Sequence, residues 1–268
     1  MKIPALRIYT IAYLVFLYTP IVILPIFAFN NATVIAFPLR GFTTEWFVAV
    51  WNDAELRGAL INSLIVAAST SVLATTFGVF AARASTRYSF PGKAPMMGLI
   101  MLPMVLPEMI LAMALLVVLL SLGIKLSLFT VILGHVLVCT PFSVAILSSA
   151  FQSLDKSLEE AAYDLGEGPV STFRLVILPL VLPGIISSLL ITFTISLDEF
   201  IISNFLKSGE ELLSTYIYSK LRFPKYVPNI MALGTILVVI SITLMTLAEY
   251  FRRRGLAKTG AKDSGGFV

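Results

Sequence analysis

Cysteine and histidine are almost absent from this sequence, which contains one of each in 268 residues. A single thiol cannot form a disulfide within the chain, and Cys139 with His135 cannot supply the several spaced ligands of a cysteine metal cluster. The same scarcity leaves no constellation of nucleophile, base and orienting group for catalysis. We therefore expect a protein that is not an enzyme, that holds no metal, and that uses both of these side chains for packing.

Charged residues are also scarce. They make up 13% of the chain, whereas hydrophobic residues make up 58% and the mean hydropathy is +0.95. This composition is too apolar for a soluble domain, and several apolar runs are long enough to cross a bilayer. The pI of about 9.2 does not indicate a nucleic-acid site, because the basic residues stand beside the apolar runs rather than in one patch.

The apolar runs predict an all-α, polytopic membrane protein whose residues 1–268 form one transmembrane domain. The six predicted spans cover about residues 6–29, 60–82, 95–122, 127–151, 180–206 and 229–251. The first run is too long for the core of a signal peptide and no small-residue cleavage site follows it, so we expect it to remain as an anchor. The tail, residues 255–268, is expected to be disordered.

The basic residues predict the orientation of these spans. An even number of spans places both termini on one side, and twelve of the 19 Lys and Arg residues fall on that side while seven fall opposite. Because cytoplasmic connections carry the excess of positive charge, both termini are predicted to be cytoplasmic.

Three acids, Glu108, Asp198 and Glu199, lie inside predicted spans. A carboxylate at the centre of a membrane costs about 2.5–3.5 kcal/mol on insertion scales, so such residues usually face a cavity or a partner. Glu199 continues a polar stripe with a helical period, which predicts that it faces a pathway, while Asp198 shares that pathway or bonds to a neighbouring helix. The other residues of the stripe are Ser188, Thr192, Ser196 and Ser203.

A cationic ligand suits these acids, because no Lys or Arg occurs in the interior of the predicted spans to neutralise an anion. The alternative is that the acids are protonated or hydrogen-bonded structural groups.

A polar island, defined as residues 153–179, separates the fourth and fifth spans. It predicts two short helices at the membrane surface. The first has a capping box of Ser157 and Glu160 and ends at Gly166, and the second starts after Gly168 and ends at Pro179. Ala161 and Ala162 would leave one side of the first helix flat enough for the groove of another protein. The alternative is an ordinary helical loop.

The island resembles the EAA motif of permeases from binding-protein-dependent ABC importers. Glu160, Ala161, Ala162 and Gly166 match it, and Val176 to Pro179 match its ending except that Val176 replaces an isoleucine. Four further segments resemble the permease subunits of spermidine/putrescine importers: Asn62–Leu64, Leu106–Glu108, Ser196–Phe200 and Tyr216–Lys220.

The resemblance implies the fold of a type I ABC importer permease in a bacterial inner membrane. It implies that a periplasmic binding protein delivers a polyamine to this chain and a second permease. It also implies that Glu108, Asp198 and Glu199 line the route of the cation. It further implies that an ATPase dimer docks on the polar island, at Glu160, Ala161, Ala162, Asp164, Gly166 and Pro179. Because the sequence has no phosphate-binding loop, we expect ATP and Mg²⁺ to bind the ATPase and this chain to need no cofactor. Import of an amino acid derivative, iron or an organophosphonate, or a scaffold role, are the alternatives.

Overall fold

The computed structural model describes residues 3–259, and within that range the chain forms twelve α-helices. In chain order they are α1 Ile3–Ala28, α2 Glu45–Asn52, α3 Ala54–Arg87, α4 Lys93–Val105, α5 Glu108–Ser121, α6 Leu128–Gln152, α7 Ser157–Asp164, α8 Pro169–Thr172, α9 Leu178–Asp198, α10 Ile201–Leu206, α11 Leu213–Leu221 and α12 Val227–Thr259. The predicted all-α fold is confirmed.

One compact unit contains residues 3–53 and 217–259. In it α12 packs against both α1 and α2. The connection before α2 folds back on itself, because Asn30 pairs with Phe42 in an isolated antiparallel bridge. The indole N–H of Trp46 donates to the carbonyl of Asn30 at 2.9 Å, which holds α2 against this connection.

The other unit, Ala54–Tyr216, is built around the mutual packing of α3, α6 and α9. Small residues let these helices approach closely, as is usual for helix packing in membranes. A Cβ added at Gly78 would overlap Ser143 Oγ, and one added at Gly184 would lie 2.7 Å from Ala150 Cβ. Glycine is therefore required at both contacts.

The third predicted span, in which Pro103 and Pro107 predict a bent or broken helix, is not a single straight helix. It is the pair α4 and α5, which are bent by 109° at Leu106 and Pro107. Leu106 is extended, as the residue before a proline tends to be. The helix passes through Pro103 without a break, so only the second of the two prolines interrupts the span.

Five further helical stretches are long and apolar enough to cross a membrane, and the bent pair brings the total to six within the described range. They are Leu6–Ala28, Ala54–Arg87, Leu128–Gln152, Pro169–Asp198 and Pro224–Thr243. The span predicted over residues 180–206 ends at Asp198 instead, because the backbone of Glu199 is extended and α10 starts separately.

The C-terminal end of the polar island and the tail also differ from prediction. The second short helix does not end at Pro179: α8 continues through a π-helical turn, Phe173–Ile177, into α9. A wider turn just before a proline gives its ring room beside the preceding carbonyls. Residues 255–259 are helical rather than disordered, since Leu, Ala and Lys are good helix formers. Residues 260–268 lie outside the described range.

Candidate functional site

Two helix breaks place the three intramembrane acids around one recess. Glu108 is the first residue of α5, directly after the bend, where a carboxylate is stabilised by the helix dipole. Asp198 is the last residue of α9, and Glu199 forms the break before α10. These positions bring acids that are about ninety residues apart in sequence to the same place.

The acidic recess has a volume of about 560 Å³. It is lined by Glu108, Thr194, Ile195, Asp198, Glu199, Phe200 and Ile201. Glu108 and Asp198 are exposed in this chain, whereas Glu199 is only 9% exposed. None of the described lining residues is Lys or Arg, so the recess offers negative charge to a ligand.

Glu199 is held more firmly than the other two acids. Its Oε1 accepts the backbone N–H of Ile202 at 2.9 Å, which satisfies one of the free donors at the start of α10. Its backbone carbonyl accepts the hydroxyls of Ser203 at 2.8 Å and Ser214 at 3.1 Å. The carboxyl group is thus oriented by the α10 backbone.

The other residues of the polar stripe, from which the orientation of Glu199 toward a pathway was predicted, pack inside the chain. Ser188, Thr192, Ser196 and Ser203 are buried. Ser188 lies 2.7 Å from the hydroxyl of Ser143 on α6 and 3.0 Å from that of Thr75 on α3. The stripe is a hydrogen-bonded helix contact, and Glu199 is the one member of it that lines the recess.

Asp198 faces the recess together with Thr194, one turn before it on α9. Of the two possibilities open for Asp198, the structure places it in the same recess as Glu199. Thr194 and Asp198 are polar residues four positions apart on α9, and this spacing was the sequence signal for the helix face that lines the recess.

The first helix of the polar island, α7, is stopped as predicted at Gly166. The N–H of Glu167 donates to Ala162 O at 3.0 Å and the N–H of Gly166 to Tyr163 O at 2.9 Å, which is a Schellman motif. Gly166 has a φ of +87°, a conformation that costs other residues free energy.

The predicted capping box at the start of α7 is absent from the described contacts, and Asp155 takes its place. Asp155 Oδ1 accepts the backbone N–H of Ser157 at 2.9 Å. That hydrogen bond, with a further one from the Ser157 side chain, lowers the pKa of Asp155. Glu160 is left exposed on the helix surface.

The predicted docking residues divide between two faces. Glu160, Ala161, Asp164, Gly166 and Pro179 are exposed, whereas Ala162 is only 6% exposed and packs within the chain. The flat surface expected from both alanines therefore comes from Ala161 alone. Large apolar side chains are exposed nearby, with Leu165 at 85% and Val170 at 81%.

The sequence analysis missed the acid that attaches α7 to the rest of the unit. Glu159 Oε1 lies 2.8 Å from Arg87 Nε, and Glu159 Oε2 lies 3.8 Å from Arg83 Nη2. Arg87 Nε and Glu159 Oε1 have no hydrogen-bond partner despite their short distance. Their contact is therefore an ion pair that is not aligned as a hydrogen bond. Arg83 and Arg87 are four residues apart at the end of α3, a spacing that puts both on one face and could have signalled an acidic partner.

The two arginines also contact the segments on either side of α7. Arg87 Nη2 donates to the carbonyl of Leu154 at 3.0 Å, and the Arg83 guanidinium lies 4.6 Å from the centre of the Phe173 ring. The end of α3 is thereby joined in one cluster to α7, to Leu154 just after α6 and to Phe173 just after α8.

Comparison with known proteins extends over most of the chain. Residues 74–255 match the model of the family described as "Binding-protein-dependent transport system inner membrane component". The spermidine/putrescine transport system permease protein PotC of Haemophilus influenzae is 34% identical over 240 residues, which cover 89% of this chain and 93% of the relative. The putrescine transport system permease protein PotI of Escherichia coli is 32% identical over 258 residues, 91% of each chain.

Solved structures share the fold at lower identity. A bacterial alginate ABC transporter, in complex with an alginate pentasaccharide-bound periplasmic protein, matches with a TM-score of 0.70 and 20% identity over 94% of each chain. The MetNI methionine ABC transporter in inward-facing conformations matches with a TM-score of 0.56 and 18% identity over 79% of this chain and 95% of that one. The fold is thus that of ABC importer permeases, and the chain belongs to the family of inner membrane components of binding-protein-dependent transport systems.

Proposed function

We propose that this chain is a permease subunit of an ATP-driven polyamine importer, and that Glu108, Asp198 and Glu199 line the route of the cation. The acidic recess is the observation that carries the proposal, because three carboxyl groups meet there and no described lining residue is basic. The identity of 34% and 32% to permeases named for spermidine/putrescine and putrescine supports the same substrate class.

The chemistry of a polyamine fits this recess. Such a molecule is a flexible chain with two to four ammonium groups separated by methylene groups. Acidic groups from α5 and α9 can pair with separate ammonium groups, while Phe200 and Ile195 provide apolar surface for the chain between them. Two of the carboxyl groups are exposed, which keeps binding weak enough for release.

The exposed face of the polar island is the proposed docking site of a separate ATPase dimer. Glu160, Ala161 and Asp164 on α7, with Gly166 and Pro179, would contact it, and ATP and Mg²⁺ would bind the ATPase while this chain uses no cofactor. A second permease would complete the route and a periplasmic binding protein would deliver the polyamine. This arrangement places both termini in the cytoplasm.

Uptake of labelled spermidine and putrescine into vesicles that contain the reconstituted complex tests the proposal. Glu108→Gln, Asp198→Asn and Glu199→Gln should each lower ATP-dependent uptake by at least about tenfold, since a hydrogen bond to a charged group contributes about 1.5–3 kcal/mol. Glu210→Gln is the matched control, because Glu210 is exposed and lies outside the recess; it should transport normally.

Two outcomes would contradict the proposal. If the recess variants transported as well as Glu210→Gln, the carboxyl groups would not form the route. If the assembled wild-type complex hydrolysed ATP but imported neither polyamine, the substrate would belong to another class, and the amino acid derivative, iron and organophosphonate would be tested next.

A further inference from the structure

His135 lies outside the acidic recess but touches both sides of the helix break that forms it. The imidazole is on α6 and is completely buried. Its Nδ1 lies 2.7 Å from the hydroxyl of Ser196 on α9, and its Nε2 lies 2.9 Å from the hydroxyl of Ser203 on α10. One side chain therefore ties the two helices on either side of Glu199 to a third helix.

The hydrogen atoms of this network have one consistent arrangement. The single hydroxyl hydrogen of Ser203 is donated to the backbone carbonyl of Glu199 at 2.8 Å, so the Ser203 oxygen must accept from His135. A neutral imidazole that donates from Nε2 accepts at Nδ1, and the Ser196 hydroxyl supplies that donor. The network runs in one direction, from Ser196 through His135 and Ser203 to the backbone of Glu199.

The packing beside His135 allows α10 little freedom. A Cβ added at the neighbouring Gly134 would lie 2.5 Å from Ile202 Cγ2 and 2.7 Å from Leu206 Cδ1. Ile202 also donates its N–H to the Glu199 carboxyl group. The contact between α6 and α10 thus fixes the position of the Ile202 N–H, which orients the Glu199 carboxyl group.

We propose that His135 is a positioning residue for the acidic recess: it bridges α9 and α10 and so sets the place of Glu199 relative to Glu108 and Asp198. This inference rests on the proposed polyamine transport. A fixed separation between the carboxyl groups favours ligands whose ammonium groups have the matching separation. His135 is therefore also a determinant of the preference between short and long polyamines.

Replacement by phenylalanine and by glutamine separates positioning from simple packing. His135→Phe keeps a ring but removes both hydrogen bonds, whereas His135→Gln keeps one acceptor and one donor on neighbouring atoms. In the reconstituted complex, with uptake expressed per assembled complex, His135→Phe should lower uptake by about tenfold, as expected when buried hydroxyls lose their partner. It should also change the ratio of spermidine to putrescine uptake, and His135→Gln should restore both values.

Ser143→Ala is the matched control. Ser143 is also on α6 and also bonds to α9, but its partner Ser188 lies well before the break and keeps its contact with Thr75. This variant should leave the spermidine to putrescine ratio unchanged. The proposal is overturned if His135→Phe and His135→Gln behave alike, or if His135→Phe lowers both uptake rates with an unchanged ratio.

A distance measurement tests the inference without a substrate. Spin labels attached at Leu190→Cys on α9 and Asn204→Cys on α10 would lie on exposed positions, while the native Cys139 is buried. His135→Phe should broaden the distribution of distances between the labels in the assembled complex, and His135→Gln should not. An unchanged distribution in His135→Phe would overturn the inference even if polyamine uptake were confirmed. A broadened one in a complex that imports no polyamine would sustain the positioning role and refute only the proposed substrate.

Discussion

Glu159→Gln should uncouple ATP hydrolysis from transport. Glu159 is the acid through which α7 is paired with Arg83 and Arg87 at the end of α3. Glutamine keeps the size of the side chain and a carbonyl acceptor but removes the charge. If the ATPase docks on the exposed face of α7, this pairing is a direct connection from the docked helix to the end of α3.

The size of the effect follows from the burial of the three side chains. The side chain of Glu159 is 14% exposed, that of Arg83 13% and that of Arg87 9%. Exposed ion pairs contribute about 0.2–1 kcal/mol, whereas removing one partner of a fully buried pair costs about 3–5 kcal/mol. Arg83 and Arg87 keep their contacts with Phe173 and the Leu154 carbonyl, so we expect a loss near the middle of that span, about 2 kcal/mol.

The assay compares ATP hydrolysis with polyamine uptake in the reconstituted complex. A loss of about 2 kcal/mol weakens the attachment of α7 roughly thirtyfold, so uptake per ATP hydrolysed should fall at least several-fold while ATP hydrolysis continues. Glu167→Gln is the matched control, because Glu167 is an exposed acid of the same polar island. Equal transport per ATP in Glu159→Gln and Glu167→Gln would refute the reasoning.

Two glycine substitutions test the packing and the turn. Gly78→Ala should lower the free energy of unfolding of the purified complex by about 1–3 kcal/mol, as overpacking does, because the added methyl group would meet Ser143. Gly58→Ala on the same helix is the control and should be tolerated, because a methyl group there meets no atom within 4 Å. Similar melting temperatures of the two variants would contradict the packing. Gly166→Ala should destabilise the end of α7 by about 1–2 kcal/mol, because its positive φ is strained for alanine. Gly166→Asn should be milder, since asparagine visits that conformation more readily, and ATPase binding to the three proteins would show the order Gly, Asn, Ala; any other order would contradict the turn.

Features that depend on residues close together in sequence were predicted well. The apolar runs predicted the helical membrane fold, and the glycine after α7 predicted its end, because both follow from local preference and hydropathy. Span ends were less accurate where the backbone breaks. The extended conformation of Glu199 ends α9 at a point in the apolar run where neither neighbouring residue is Gly or Pro, so nothing in the sequence marks the break.

The contacts between distant segments could not be predicted in this way. The period of the α9 stripe is the same whether the stripe lines a watered pathway or meets polar groups of another helix. Only the position of α6 shows that Ser188 faces Ser143. Likewise, Glu159 and Glu160 are adjacent acids in sequence, and only the position of α3 shows which one is paired.

By itself the sequence determined the class of the protein, its apolar spans, the three acids within them and the motif of the polar island, because composition, helical period and short-range turns are properties of neighbouring residues. The tertiary structure alone decided that the three acids share one recess, that Asp198 rather than the serine stripe faces it, and that His135 bonds to residues 61 and 68 positions away. The physical reason is that a periodic pattern specifies which residues share a helix face, while the helix packed against that face specifies what they contact.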